Sequence, residues 1–254
     1  SRWLRDNVER YRRGRPWHEA DGPRRVSGHY LWRLNTTWPI IGSNIIDYFL
    51  EPCMGYYALR RAYAPVLVSL DISDHIRVWV VNDTPSPIVG TLSCRLYGDE
   101  GIDLQFQQDH QVSVPAGESR MVATMDDAGM FFRTSNLFAC LTDVDGNEMA
   151  RTNDIAMIER NLGFPDANLT LMPNENGDGI LITTDKFARC IELTGATEEG
   201  DPAGEFGWYF EDNFFDLLPH ETKEVRILGS RGAGIISAGS LFLSKTVKCP
   251  ISGV

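Results

Sequence analysis

At Ala64 the chain stops repeating at helical spacing and begins to alternate every second residue, and this change constrains the fold more than anything else in it. Val66-Leu67-Val68-Ser69-Leu70-Asp71-Ile72 and Ile76-Arg77-Val78-Trp79-Val80-Val81-Asn82 read as strands with one apolar face. Runs at 88–96, 104–108, 118–124, 137–142 and 150–158 complete a first set. Turn signals separate them, among them Asn82-Asp83-Thr84-Pro85 and Pro115-Ala116-Gly117-Glu118. About seven short strands with turns every 8–12 residues make the pattern of an immunoglobulin-like sandwich. Trp79 falls on the face opposite Val78 and Val80, which predicts an interface position for its ring.

A second set follows at 168–172, 179–184, 188–193, 206–210, 224–228, 235–243 and 244–247. Asn174-Glu175-Asn176-Gly177-Asp178-Gly179 is a hairpin turn, because Asn-Gly and Asp-Gly tolerate positive φ. Asp143-Val144-Asp145-Gly146-Asn147-Glu148 also reads as a hairpin turn. Its acids stop too early for a calcium loop of about twelve residues ending in Glu. Asp71, Asp74 and Asp83 are expected in turns.

The residues before Ala64 are of another kind. Trp3, Leu4, Val8 and Tyr11 predict a helix over 3–13, stopped by Gly14 and Pro16. Residues 14–28 read as a loop, Tyr30–Leu34 as a short apolar strand, and 35–44 as a second loop. A second helix is expected over 52–63, with Pro52 in its first turn and Met54, Tyr57, Ala58 and Arg61 along one side. Helix, loop, strand, loop, helix is a small piece of an α/β barrel. A lone parallel strand cannot bury itself, since parallel sheets need neighbours and helices on both faces. The expected architecture is mainly β: residues 1–63 as the remnant of a (β/α)8 barrel, then sandwiches over 64–160 and 161–254.

Charge supports a boundary near residue 63. Residues 1–62 hold eleven arginines against six acids, a net +5, so a total of −11 leaves −16 for the rest. Phosphate binding needs clustered basic charge, so nucleic acid is not expected as a partner. No apolar run reaches the roughly 20 residues that cross a bilayer, so no membrane partner is expected either. Arg2, Arg5 and Arg10 interrupt any leader-like segment, and a first residue Ser1 fits a cut or processed chain. Cys53, Cys94, Cys140, Cys190 and Cys249 show no zinc spacing. Cys94 and Cys140 read as reduced core residues, with a disulfide between them left open by sequence. No Ser-His-Asp pattern, phosphate loop or dinucleotide fingerprint occurs, and no cofactor or metal is expected.

Two motifs carry a resemblance. Trp32-Arg33-Leu34-Asn35-Thr36-Thr37-Trp38-Pro39, with Ile46-Asp47-Tyr48 through Pro52 and Tyr56-Tyr57-Ala58-Leu59-Arg60-Arg61-Ala62, resembles the end of the catalytic barrel in β-mannosidase-like members of glycoside hydrolase family 2. There W-Q-L-N-D-x-W-P precedes I-D-Y-x-x-x-P and Y-Y-A-x-x-R-A. Phe210-Glu211-Asp212-Asn213-Phe214-Phe215-Asp216-Leu217-Leu218-Pro219 resembles F-S-D-N-[YF]-F-D-L-L-P in that family's last sandwich. The resemblance implies the non-catalytic C-terminal portion of a retaining enzyme acting on β-linked mannose or a similar sugar. Its partners would be the remainder of the barrel and, through it, a β-linked oligosaccharide. Arg33 and Thr36 stand where the family has Gln and Asp. The alternative is a stand-alone carbohydrate-binding or structural Ig-like module, which leaves residues 1–62 without a role.

Retaining glycoside hydrolysis needs two carboxyl groups about 5–5.5 Å apart. In the family both are Glu on earlier barrel strands, in N-E and S-E-F-G settings, and neither motif occurs here. Glu9 and Glu19 are expected to be solvated. The chain alone is therefore expected to be inactive. The resemblance carries a place in the sugar-binding floor onto Trp32. Asn35 and Trp38, at the same strand end, are the other candidate substrate contacts. Residues 1–62 are expected to be partly disordered, packed against 66–160, or covered by another copy.

Overall fold

The structure, a computed structural model, describes residues 2–14, 29–40, 42, 44–72, 75–98, 103–125, 136–155, 163–197, 208–229 and 233–251. They form two compact units. One takes Ser1–Tyr30, Ala58–Asp99 and Asp103–Leu162, and the other takes Leu31–Tyr57, Glu100–Ile102 and Gly163–Val254.

The first unit opens with helix α1 (Arg2–Arg12), which ends at Gly14 with φ 71°. Helix α2 (Met54–Ala62) starts two residues beyond Pro52, which instead bridges to Ile46; its residues to Tyr57 group with the second unit and those from Ala58 with the first. Seven strands succeed it: β1 (Val66–Ile72), β2 (Ile76–Asn82), β3 (Ile88–Tyr97), β4 (Leu104–Val114), β5 (Glu118–Met125), β6 (Asn136–Thr142) and β7 (Glu148–Ile155). They pair antiparallel as β1-β2-β5 and β4-β3-β6-β7, a three-plus-four sandwich of immunoglobulin type. The alternation seen in sequence turns Val68, Val78, Val80, Leu92, Leu96, Leu137 and Leu141 into the core. Each such side chain contributes about 1.5–3 kcal/mol on burial. A bulge opposite Val78 and Trp79 leaves Val122 unpaired in β5.

The turns are fixed by side chains. Asn82 is fully buried, and its Nδ2 donates to the carbonyls of Ser86, Val114 and Pro115 while Oδ1 accepts from the Thr84 amide. At the β6–β7 turn the Asp143 carboxylate accepts from the amides of Asp145 and Asn147, and Gly146 takes φ 86°, which makes it a hairpin turn. Asp71 departs from expectation. It is a buried strand residue whose carboxylate lies 3.7 Å from Arg77, its cross-strand neighbour in β2. Asp74 lies outside the described residues.

Register also decides the cysteines. Cys94 pairs with Ala139 and faces the core, while Cys140 pairs with Ser93 and faces outward. The two thiols sit on opposite faces of the sheet, so no disulfide joins them, and both are free. Cys140 is half-buried rather than a core residue. Burial pushes the Cys94 thiol up to about 12 and the Cys140 thiol to about 11.

The second unit holds β8 (Leu169–Pro173), β9 (Gly179–Thr184), β10 (Ala188–Thr197), β11 (Tyr209–Phe210), β12 (Phe215–Leu217), β13 (Thr222–Gly229), β14 (Gly234–Gly239) and β15 (Val247–Ile251). Their sheets run β11-β13-β9-β8 and β12-β10-β14-β15. The last strand starts at Val247 rather than Ser244, and β12 was not expected at all. The segment 210–219 supplies much of the stitching. Asn213 Oδ1 accepts from the Leu193 amide at 2.7 Å and its Nδ2 returns a bond to the Leu193 carbonyl at 2.9 Å. Asp216 accepts from the Cys190 amide and pairs with Arg189, closing the bulge between Ala188 and Ile191.

Residues 30–34 form no strand. Arg33 takes φ 72°, a left-handed conformation that breaks an extended run, and Tyr30 and Trp32 are 94% and 82% exposed. A parallel strand without neighbours leaves both rows of backbone groups unpaired, which is why the apolar run alone does not make one.

Trp208 fixes a close approach inside the second core. A Cβ added at Gly195 would lie 2.0 Å from Trp208 Cγ. Gly195→Ala is expected to cost at least about 1–3 kcal/mol through overpacking, read as a lower urea midpoint for the transition that reports Trp208. An unchanged midpoint would show that the indole does not pack there.

Candidate functional site

The three residues singled out from sequence lie on one irregular segment of the second unit. Trp32 is 82% and Trp38 70% exposed, and Asn35 is exposed beside them. Among the described residues, no hydrogen bond or ring contact joins their side chains. The backbone that carries them is nevertheless well tied. The amides of Ile45 and Ile46 both donate to the Leu34 carbonyl, at 3.2 and 3.0 Å, and the Cys53 amide donates to Ile45 O at 3.0 Å. Trp38 N donates to Thr36 Oγ1, whose hydroxyl donates to Trp38 O. Asp47 Oδ1 accepts from the Glu51 amide at 2.8 Å, closing a turn in which Leu50 takes φ 66°. That turn presents Tyr48 and Phe49, whose rings meet edge to face at 5.2 Å. Leu34, Ile40 and Phe49 are each more than half exposed. Trp32, Leu34, Trp38, Ile40, Tyr48 and Phe49 thus leave a large apolar surface open to water.

This segment is fastened to the second sandwich at its far end. Tyr57, 2% exposed, donates its hydroxyl to the Phe210 carbonyl at 3.4 Å and packs its ring 5.9 Å from that of Phe214. Desolvation, then the carboxylates of Glu51 and Asp47, push the Tyr209 phenol up. Glu51 itself is raised by desolvation and by Asp47. Sequence reasoning placed Tyr57 on a helix face but gave it no partner. The aromatic content of both motifs was the available signal.

A polar cluster lies in the first unit, where α1 packs on the sandwich. Asp154, nearly buried, accepts from Arg2 at 2.6 Å and from Arg5 at 3.0 Å. Arg12 donates to the carbonyls of Ala62 and Ala64 and to Asp83. Glu9 is the correction here. It was expected in solvent, yet it is 4% exposed and accepts from Ser69 Oγ at 2.8 Å, while Ser69 Oγ accepts from Arg13 at 2.6 Å. The amphipathic helix turns this acid onto β1 because Val8, fully buried, must also face inward. Glu19 lies outside the described residues. A cavity of about 370 Å³ beside α1 is lined by Arg2, Asp6, Arg10, Arg13, Asp71 and Asp154 among others. Glu9 therefore pins a helix, with Arg5, Arg13, Ser69 and the Asp6 carboxylate around it. Packing of α1 on this sandwich is one of the three arrangements expected for the opening residues. Residues 31–57 behave otherwise and group with the second sandwich.

Comparison with known proteins fits this architecture. Residues 74–154 match a family model described as a mannosidase Ig/CBM-like domain, and residues 164–235 match one described as an Ig-fold domain of the mannosidase type. β-Mannosidase B of Aspergillus niger is 28% identical over 242 residues, covering 85% of this chain and 27% of that protein. The Neosartorya fischeri β-mannosidase B is 26% identical over 236 residues, with the same coverage. The chain thus spans about a quarter of the length of these relatives. In fold it is similar to an exo-chitosanase of Amycolatopsis orientalis (TM-score 0.73, 18% identity, 97% of this chain and 33% of that one). It is similar also to a β-D-mannosidase of Dictyoglomus thermophilum (TM-score 0.70, 19% identity, 98% and 28%).

The buried acid makes a pH prediction. Desolvation outweighs Arg5, Ser69 and Arg13 and raises the Glu9 carboxyl above its ordinary value. A raised folded-state value means its contribution is present below the unfolded value and lost as pH rises through the folded one. Glu9→Gln mimics the neutral form. Thermal unfolding from about pH 4 to about pH 8 should find the variant equal to wild type in acid and relatively more stable as pH rises. A variant that loses ground on wild type toward higher pH would contradict this.

Proposed function

We propose, for a chain built as the C-terminal Ig-like region of a β-mannosidase-like glycoside hydrolase of family 2, that it serves as the non-catalytic portion of a larger retaining enzyme acting on β-linked mannose or a similar sugar. Residues 1–63 are in this reading the last strand and helices of a (β/α)8 barrel, followed by sandwiches over 64–160 and 161–254. The remainder of the barrel is the partner, and it carries the two catalytic Glu.

The observation that carries the reading is the open apolar surface around Trp32, Leu34, Trp38 and Phe49. A free-standing domain rarely leaves so many large apolar side chains in water on one short segment. Barrel strands beside Tyr30–Leu34 would pair its backbone and cover those side chains. Strand C-terminal ends face the active site in such barrels. Trp32 then offers a flat indole to the apolar face of a pyranose, Asn35 bonds a hydroxyl, and Trp38 extends the wall. A stand-alone carbohydrate-binding module accounts for the sandwiches but not for this segment.

Steady-state kinetics of the barrel-bearing protein on an aryl β-mannoside tests it. Trp32→Ala should raise KM about tenfold with kcat little changed, the signature of lost uniform binding. Unaltered kinetics would remove Trp32 from the sugar site. An unaltered protein that turns over no β-linked glycoside would reject the reading as a whole.

A further inference from the structure

The five non-glycine residues with positive φ among the described residues are Arg33, Leu50, Cys190, Phe214 and His220, and all lie in the second unit. Bulky residues adopt this conformation at a cost of about 1–3 kcal/mol and hold it only where their surroundings fix them. Cys190 is explained by the bulge that Asp216 closes. Leu50 sits at the turn closed by Asp47. Phe214 and Arg33 mark the two ends of a path, Phe214 where the last sandwich meets Tyr57 and Arg33 between Trp32 and Leu34.

Hydrogen bonds connect these points. Asn213 Oδ1 accepts from the Phe214 amide at 2.9 Å as well as from Leu193, so the same buried side chain that joins the sheet sets the backbone of Phe214. Phe214 and the Phe210 carbonyl seat Tyr57 at the start of α2. One step back, the Tyr56 amide donates to Cys53 O at 2.9 Å, the Cys53 amide to Ile45 O, and the Ile45 amide to Leu34 O. Leu34 is flanked by Arg33 and Asn35, with Trp32 next. The path from the core of the sandwich to the exposed aromatic segment is continuous, through backbone hydrogen bonds, the Tyr57 hydroxyl and one ring contact.

We propose that the last sandwich is a positioning platform for the sugar-contact segment, with Tyr57, Asn213 and Phe214 as positioning residues that set the place of Trp32 and Asn35. The sandwich does not touch substrate. It replaces the mobility of a loop with the rigidity of a sheet, which is what a binding constellation held to a fraction of an ångström requires. The shared motif 210–219 thereby has a second role beyond stitching β10 to β12. Its Phe214 ring packs against Tyr57 at the end of the segment. The proposal rests on the functional reading above for its consequence in catalysis, but not for the anchoring itself.

The test has two arms. In this chain, hydrogen exchange of the Ile45, Ile46 and Cys53 amides is followed in wild type, Tyr57→Phe and Phe214→Ala. Tyr57→Phe removes one hydroxyl and should speed these amides about fivefold, the equivalent of one neutral hydrogen bond. Phe214→Ala should speed them more, and the amides of β2 and β3 should be unmoved in both. In the barrel-bearing protein, Tyr57→Phe should raise KM for an aryl β-mannoside about threefold or more with kcat unchanged. Unchanged exchange at Ile45, Ile46 and Cys53 in Tyr57→Phe would overturn the anchoring, whatever Phe214→Ala does to folding. Faster exchange with unchanged KM would overturn the positioning. An inactive wild-type protein would sink the functional reading alone and leave the exchange arm to decide the anchoring.

Discussion

Antiparallel pairing satisfies a strand from its immediate sequence neighbours, whereas a parallel barrel strand needs partners that come from far along the chain. The rest of the structure follows from that difference. Each sandwich closes its own backbone and core, with Val68 to Leu141 in one and Leu169 to Ile251 in the other. Among the described residues, the segment 30–50 has only the isolated bridge from Ile46 to Pro52. It keeps its order through local turns at Asp47 and Leu34 and through Tyr57, and it leaves its aromatic side chains in water.

Polar residues do the fixing at each place where the chain leaves regular structure. Asn82, Asn174 and Asn213 are all buried, and each bonds backbone groups that a strand end or turn leaves open. Leaving such groups unmet costs about 1–3 kcal/mol apiece. The same logic places Arg2 and Arg5 on Asp154 and turns Glu9 onto Ser69, so these charged groups hold α1 to its sandwich.

Period-two alternation made nearly all the strands legible, because burying one face of a sheet is written into every second residue. β12 escaped because three residues, Phe215–Leu217, carry too little period to see, and its pairing depends on a bulge at Cys190. The strand expected at Tyr30–Leu34 failed for the opposite reason: its apolar pattern is real, but pattern does not supply neighbours. Cys140 and Glu9 show a further limit. Which side of a strand or helix faces a partner is fixed by tertiary packing, so an outward cysteine and an inward glutamate look alike in sequence to their opposites. Trp32, Asn35 and Trp38 could be named from the resemblance, but the Tyr57 anchor could not, since it joins residues more than 150 positions apart.

In the proposed reading the opening residues belong to a larger enzyme whose bond-breaking carboxylates lie on the rest of its barrel. Incubating this purified chain with an aryl β-mannoside measures it most directly. The account predicts no release of the aryl group above the uncatalysed rate. Turnover that disappears when one of the chain's own carboxylates, Glu9 or another, is changed to its amide would contradict it.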